Sequence, residues 1–116
     1  MLLPTSCMME KNMKNSSNIT TERFECGDRY EAEKLVGVTT MQKNEDIHIS
    51  DVAAVYENEI VIILKDRSYH SILMKDSNNA MRLRRLILEI TSGKKKILRS
   101  KFQDQIVEIV INATDK

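Results

Sequence analysis

At 116 residues the chain has room for one hydrophobic core and not for two. Apolar residues make up 41% and charged residues 30%, an ordinary globular balance, and the formal net charge is only +1. Aromatic residues are 4% with no Trp, so packing must come from Ile, Leu, Val and Met, and stacking platforms for bases or sugars lack material.

Residues 1–27 read as a disordered tail ahead of a single small domain at 28–116. The stretch from Glu10 to Asn18 is polar and aperiodic, with too little apolar surface to offset the entropy of ordering. Met1-Leu2-Leu3 is followed by no apolar core, so no signal peptide is expected. No apolar run approaches the roughly 18 residues of a membrane span. Cys7 and Cys26 are too few for the disulfide framework of a small secreted domain, and a reduced, cytoplasmic setting is the natural expectation. The triplets at Asn15, Asn18 and Asn112 match the glycosylation pattern, which matters only in a secreted chain. No internal repeat is visible.

Order is expected from about Tyr30. Leu35–Met41 is rich in β-branched residues and reads as a strand, broken by Asn44-Glu45-Asp46. Ile47-His48-Ile49 alternates and leads through Ser50-Asp51 into Val52–Tyr56. After a turn at Glu57-Asn58, Glu59–Leu64 is a continuous apolar run that suits a central strand covered on both faces. A second turn at Lys65-Asp66-Arg67 leads to its hairpin partner, Ser68–Met74, and short links imply an antiparallel meander. Asp76-Ser77-Asn78-Asn79 offers N-cap candidates for a helix from about Asn78 to Thr91, with Ala80, Leu83, Leu86, Ile87 and Ile90 at helical spacing. Gly93 suits the position just past its end. Ile97-Leu98 and Phe102 are short apolar marks, and Gln105–Ile111 reads as a last strand or a short helix.

The expected fold class is α+β: an antiparallel meander sheet with one main helix packed on it and a C-terminal strand. Over residues 47–90 this arrangement resembles the sheet-plus-helix modules of bacterial PH-like and LytTR-type domains. No motif carries the likeness, and no function follows from it.

The charges are sorted along the chain. From Ser77 to Lys101 there are eight basic residues against Glu89 alone, or +7; the remainder holds ten basic and sixteen acidic residues, or −6. A basic surface of this kind attracts phosphates, anionic lipids or an acidic protein face. The plainer alternative is a solvated Lys-rich loop and cations placed near a helix C-terminus. The helix also carries more hydrocarbon than a sheet needs. At about 100° per residue, its apolar positions from Leu86 round to Leu88 and Met81 span roughly 220°. Either the segment carrying Ile97, Leu98 and Phe102 folds back over that flank, or the flank is an interface, most simply of a homodimer with Arg84 at its rim.

Catalysis finds little support. His48 and His70 could form an acid–base pair, but two histidines in one chain are common and nothing fixes their separation. Cys26 beside a histidine could be a thiolate nucleophile, although it lies at the edge of the polar tract. Cys7, Cys26, His48 and His70 are soft ligands without metal-site spacing, and no Gly-rich phosphate loop is present. The sequence therefore implies no cofactor, metal or catalytic residues. It points to a non-enzymatic binding or regulatory module acting on an acidic protein partner or on itself. The candidate partner-binding residues are Met81, Arg82, Arg84, Arg85, Leu88, Lys94, Lys95, Lys96 and Arg99. The alternative is a nucleic-acid-binding regulator using the same basic strip on phosphates, though without a helix-turn-helix, zinc or RNA-motif signature.

Overall fold

The computed structural model describes residues 18–40 and 49–113. The expectations placed on Cys7, on the Asn44–Asp46 break, on His48 and on the tail up to residue 17 lie outside them. In chain order the elements are β1 (Ile19–Glu25), α1 (Arg29–Thr40), β2 (Ile49–Tyr56), β3 (Glu59–Leu64), β4 (Tyr69–Leu73), α2 (Ser77–Thr91), β5 (Lys95–Gln103) and β6 (Ile106–Ala113). The fold is α+β, with antiparallel sheets and helices packed on them, as the sequence implies. Two points differ from that reading.

First, the segment read as a strand at 35–41 is helical over its described residues, 35–40. Asp28 caps α1 by accepting the Glu31 N–H at 2.9 Å, and Ala32, Leu35, Val38 and Thr39 are buried along one side. That helical spacing, anchored at its cap, outweighs the β-branched composition of Val36, Val38 and Thr39. The Thr39 hydroxyl bonds the Leu35 carbonyl at 2.9 Å and meets Ser100 Oγ at 2.7 Å, which ties α1 to β5. Second, the folded unit starts before residue 28. β1 pairs with β6 along its whole length, from Ile19↔Asn112 to Glu25↔Ile106. The strand was hidden because its exposed face is Thr and Glu/Arg rich and only Phe24 is fully buried.

Two three-stranded sheets result, ordered β1-β6-β5 and β2-β3-β4. The second is the expected meander. The last apolar segment is strand β6, and a hairpin joins it to β5.

The chain is built twice. The unit β1–α1–β2–β3 is repeated by β4–α2–β5–β6, with β1 and β4 exchanged so that each pairs with the last strand of the other unit. Cys26 and Met74, 48 residues apart, pair with each other in an isolated bridge. Around them the backbone hydrogen bonds are reciprocal. Gly27 N–H donates to Leu73 O at 2.8 Å, and Lys75 N–H donates to Glu25 O at 2.9 Å. Cys26 N–H donates to Gln105 O and Met74 N–H to Asn58 O, both at 2.7 Å. Asp28 and Asp76 cap the two helices in the same way. The core repeats too: Phe24 and Ile72, Leu35 and Leu83, Ile60 and Val107, Ile62 and Ile109 are matched pairs, all buried in one shared cluster. An approximate two-fold relation thus runs between Cys26 and Met74. The repeat escapes a sequence reading because the two halves share chemistry rather than identity: aligned identities such as Asp28/Asp76, Ala32/Ala80 and Leu35/Leu83 are few.

Candidate functional site

α2 is fixed at both ends. Asp76, in extended conformation, accepts the Asn79 N–H at 2.9 Å. At the other end Gly93, at φ 86, lets its N–H reach Ile90 O at 3.1 Å while Lys94 N–H reaches Glu89 O at 2.8 Å. These two bonds satisfy carbonyls that the helix end leaves open. Between the caps, Ala80, Leu83, Leu86, Ile87 and Ile90 are buried.

The opposite side of α2 is exposed. Met81 and Leu88 lie two turns apart on it, 69% and 37% accessible, and Arg84 and Arg85 flank the line between them. The segment after the helix does not cover this flank. Ile97 turns into the core and Leu98 is half-buried in the irregularity between Ile97 and Arg99.

The rest of the predicted basic strip divides. Arg82 turns back onto the fold: its guanidinium donates to Arg23 O at 2.8 Å and lies over the Phe24 ring, 4.8 Å from the centroid. Lys95 sits between two carboxylates, Glu89 at 2.9 Å and Glu22 at 3.7 Å. Lys94 is exposed at the helix end. Lys96 and Arg99 are exposed, in register with Asn112 and Val110 on the face of the β1-β6-β5 sheet away from the core. Lys101 on that face shares Glu108 with Arg23, at 3.7 and 3.2 Å. The coherent part of the strip is therefore the α2 face of Met81, Arg84, Arg85 and Leu88.

No family model matches this chain, and neither a curated protein nor a solved structure is similar to it. What the surface is for must be argued from its own residues.

The internal repeat supplies a comparison within the molecule. α1 packs as α2 does, yet where α2 carries Met81, Arg84, Arg85 and Leu88, α1 carries Glu33, Val36, Gly37 and Thr40. The fold does not need a Met or a Leu at those places, nor a pair of arginines.

Cys26 is fully buried at the junction of the two units, and its thiol is pushed up to about 12 by burial, with Glu31 and Asp28 adding to the effect. A thiol so held is a core side chain and no nucleophile at neutral pH. His70 is half-buried on β4, paired with Ile62.

One surface was misread from sequence. The Glu59–Leu64 run suggested cover on both faces, but β3 buries only Ile60, Ile62 and Leu64. Val61 and Ile63 remain half-buried on the outer face, beside Tyr69 at 71% and Leu73 at 43% exposure. The apolar run carried the signal. It marked a sheet with hydrocarbon on a face that the described residues leave open.

Proposed function

We propose that this protein is a non-enzymatic binding module that engages a protein partner through the exposed face of α2. The observation that carries this reading is the contrast between the two helices. An apolar pair, Met81 and Leu88, has been placed in solvent between two arginines on α2, whereas the equivalent positions of α1 are Glu33 and Thr40. Apolar anchors inside a charged surround are the usual anatomy of a protein-binding patch. The surround is positive, so the partner's matching rim is acidic. Lys96 and Arg99, on a different face, add to the long-range field that steers such a partner and are outside the contact itself.

The test compares partners cross-linked to the intact protein in nuclease-treated native lysate. Leu88→Asp and the double variant Arg84→Glu/Arg85→Glu lose the specific partner, while Lys96→Glu/Arg99→Glu retains it and all three melt like the parent. Equal recovery by the Leu88→Asp protein overturns the reading. The second reading, phosphate binding by the cations of β5, predicts affinity for DNA or RNA that falls steeply with salt. It also predicts the reverse ranking: loss with Lys96→Glu/Arg99→Glu and retention with Leu88→Asp.

A further inference from the structure

The four strand edges of the two sheets are treated differently. Two of them are closed by side chains from the helices. At β4, Glu31 accepts the Leu73 N–H at 2.9 Å and Lys34 donates to Ser71 O at 2.7 Å. At β1, Asn79 accepts the Glu25 N–H at 2.9 Å and Arg82 donates to Arg23 O at 2.8 Å. The third edge, β5, carries Lys95, Lys96, Arg99 and Lys101, the cationic guard that discourages strand-to-strand pairing.

The fourth edge, β2, has neither a helix side chain across it nor a cationic guard; among the described residues its side-chain cap is Asp51 on the N–H of Val52. Its sequence is ISDVAAVY, with Asp51 the single charge and neither Lys nor Pro. From Asp51 to Tyr56 no helix side chain among the described residues takes up a β2 backbone group. Its two irregularities fall near the ends and leave Asp51–Ala54 in unbroken register with β3. Val52 N–H, turned away from β3, bonds the Asp51 carboxylate of its own neighbour at 2.7 Å, a bond it exchanges for a carbonyl of an added strand on pairing; Ala54, two residues on, turns its backbone groups the same way.

We propose that β2 pairs antiparallel with β2 of a second copy of this chain across a two-fold axis at Ala53, joining the two β2-β3-β4 sheets into one of six strands. Charge selects the occupant and the register. Backbone polarity along β2 allows the axis at residue 52, 53 or 54. At 52, the two copies of Asp51 come within about 7 Å of each other; at 54, Asp51 faces Glu57. At 53, Asp51 faces Val55, Val52 faces Ala54, and the two Asp51 carboxylates stand about 14 Å apart, beyond the screening length at physiological salt. A β5–β5 pairing has no such solution, because its registers bring cations against cations. A β2–β5 pairing is head-to-tail and would build open filaments, which the β5 cations oppose. The paired stretch is short, so the dimer is weak, with a Kd above about 1 µM. This inference uses a surface other than the exposed face of α2 and stands apart from that reading.

Sedimentation equilibrium on the full chain, from about 1 µM to 0.5 mM, reads it directly. The weight-average mass rises with concentration from 13.4 kDa toward twice that value and stops there. Val55 is 51% exposed and faces Asp51 of the second copy in the proposed register. Val55→Lys therefore tightens the dimer and Val55→Asp weakens it, each by about 3- to 10-fold because the pair occurs twice, and added salt shrinks both effects. Ala53→Lys, which sets two ammonium groups together on the axis, abolishes the dimer, while Lys101→Ala leaves it. A wild-type mass of one chain throughout the range, growth beyond two chains, or the same response to Val55→Lys and Val55→Asp overturns the proposal.

Discussion

The Arg82 guanidinium and the backbone carbonyl of Arg23 are 2.8 Å apart, and the Lys34 ammonium stands in the equivalent place, 2.7 Å from the Ser71 carbonyl. Each cation also holds the residue three before it on its helix, Asn79 at 3.4 Å and Glu31 at 3.1 Å, and that residue takes the next N–H along the same edge. The result is a clasp made twice. One helical turn presents a donor and an acceptor at the spacing of an extended strand's unpaired groups. Arg82 is thereby engaged by the fold itself.

A structural role for Arg82 has a measurable consequence. Arg82→Met keeps the aliphatic stem over Phe24 and removes the bond to Arg23 O. Because Arg82 is only partly buried, we expect a loss of about 1–2 kcal/mol in urea denaturation, the scale of a charged hydrogen bond with partial solvent replacement. Lys34→Met should cost a similar amount on the other edge. Arg82→Met should leave partner capture by α2 in place, in contrast to Leu88→Asp. Loss of capture without loss of stability would return Arg82 to the interface.

The helix caps predict an acid limb. Asp76 accepts first the backbone N–H and then the side-chain amide of Asn79, and these bonds hold its carboxyl below its ordinary 3.8. A folded-state value below the unfolded one contributes stability that is complete above the unfolded value and is lost as pH falls through the folded one. Stability of the native protein should therefore drop below about pH 4, and Asp76→Ala should flatten that limb. The same variant lowers the melting temperature at neutral pH, because the Asn79 N–H loses its cap. Asp28→Ala tests the equivalent cap of α1 and should lower it by a similar margin.

Much of the second unit was legible in the sequence, and less of the first, for physical reasons. α2 announces itself through a cap, a clean apolar stripe and a terminal glycine, all of which the structure uses. α1 has the same cap and the same stripe, but Val36, Gly37 and Val38 dilute the helical signal with residues that favour strands or turns. β1 buries only one side chain completely, so its alternation is faint. On the candidate site, the width of the apolar arc singled out Met81 and Leu88 but left open whether the C-terminal segment covers them; the structure leaves both exposed. The turning of Arg82 and Lys95 toward internal partners was not legible, because Arg23 O and Glu22 lie on β1, distant in sequence, and the Glu89 contact depends on how the chain turns between α2 and β5.

Two glycines should respond in opposite directions. Gly93 sits at φ 86 past the end of α2, and a Cβ there would meet nothing within 4 Å, so the cost of Gly93→Ala is conformational alone. We expect a loss of about 1 kcal/mol. Gly37 lies inside α1 with open space around the position a Cβ would take. Gly37→Ala should gain about 0.5–1 kcal/mol through a stiffer unfolded chain and better helix propensity. Chemical denaturation of the two variants side by side checks the sign as well as the size.

Cys26 offers the last prediction, because it lies where the two units meet. Its thiol is fully buried and is pushed from 9.0 to about 12 by that burial, with Glu31 and Asp28 raising it further. A raised folded-state value means that the unfolded chain releases this proton first as the solution turns alkaline. Stability from Cys26 is therefore complete below about pH 9 and drains between 9 and 12, with a slope of at most about 1.4 kcal/mol per pH unit. The measurement is a difference between two proteins that share every other ionisable group: urea midpoints of the parent and of Cys26→Ala should converge as pH rises. In a Cys7→Ser background, where Cys26 is the only thiol, a disulfide reagent at pH 8 should label the protein at the rate of its opening. Added urea should speed that labelling in step with unfolding. Rapid labelling of the native protein, or parallel pH profiles for the parent and Cys26→Ala, would place the thiol outside the core and break the junction at which the two halves of the fold exchange strands.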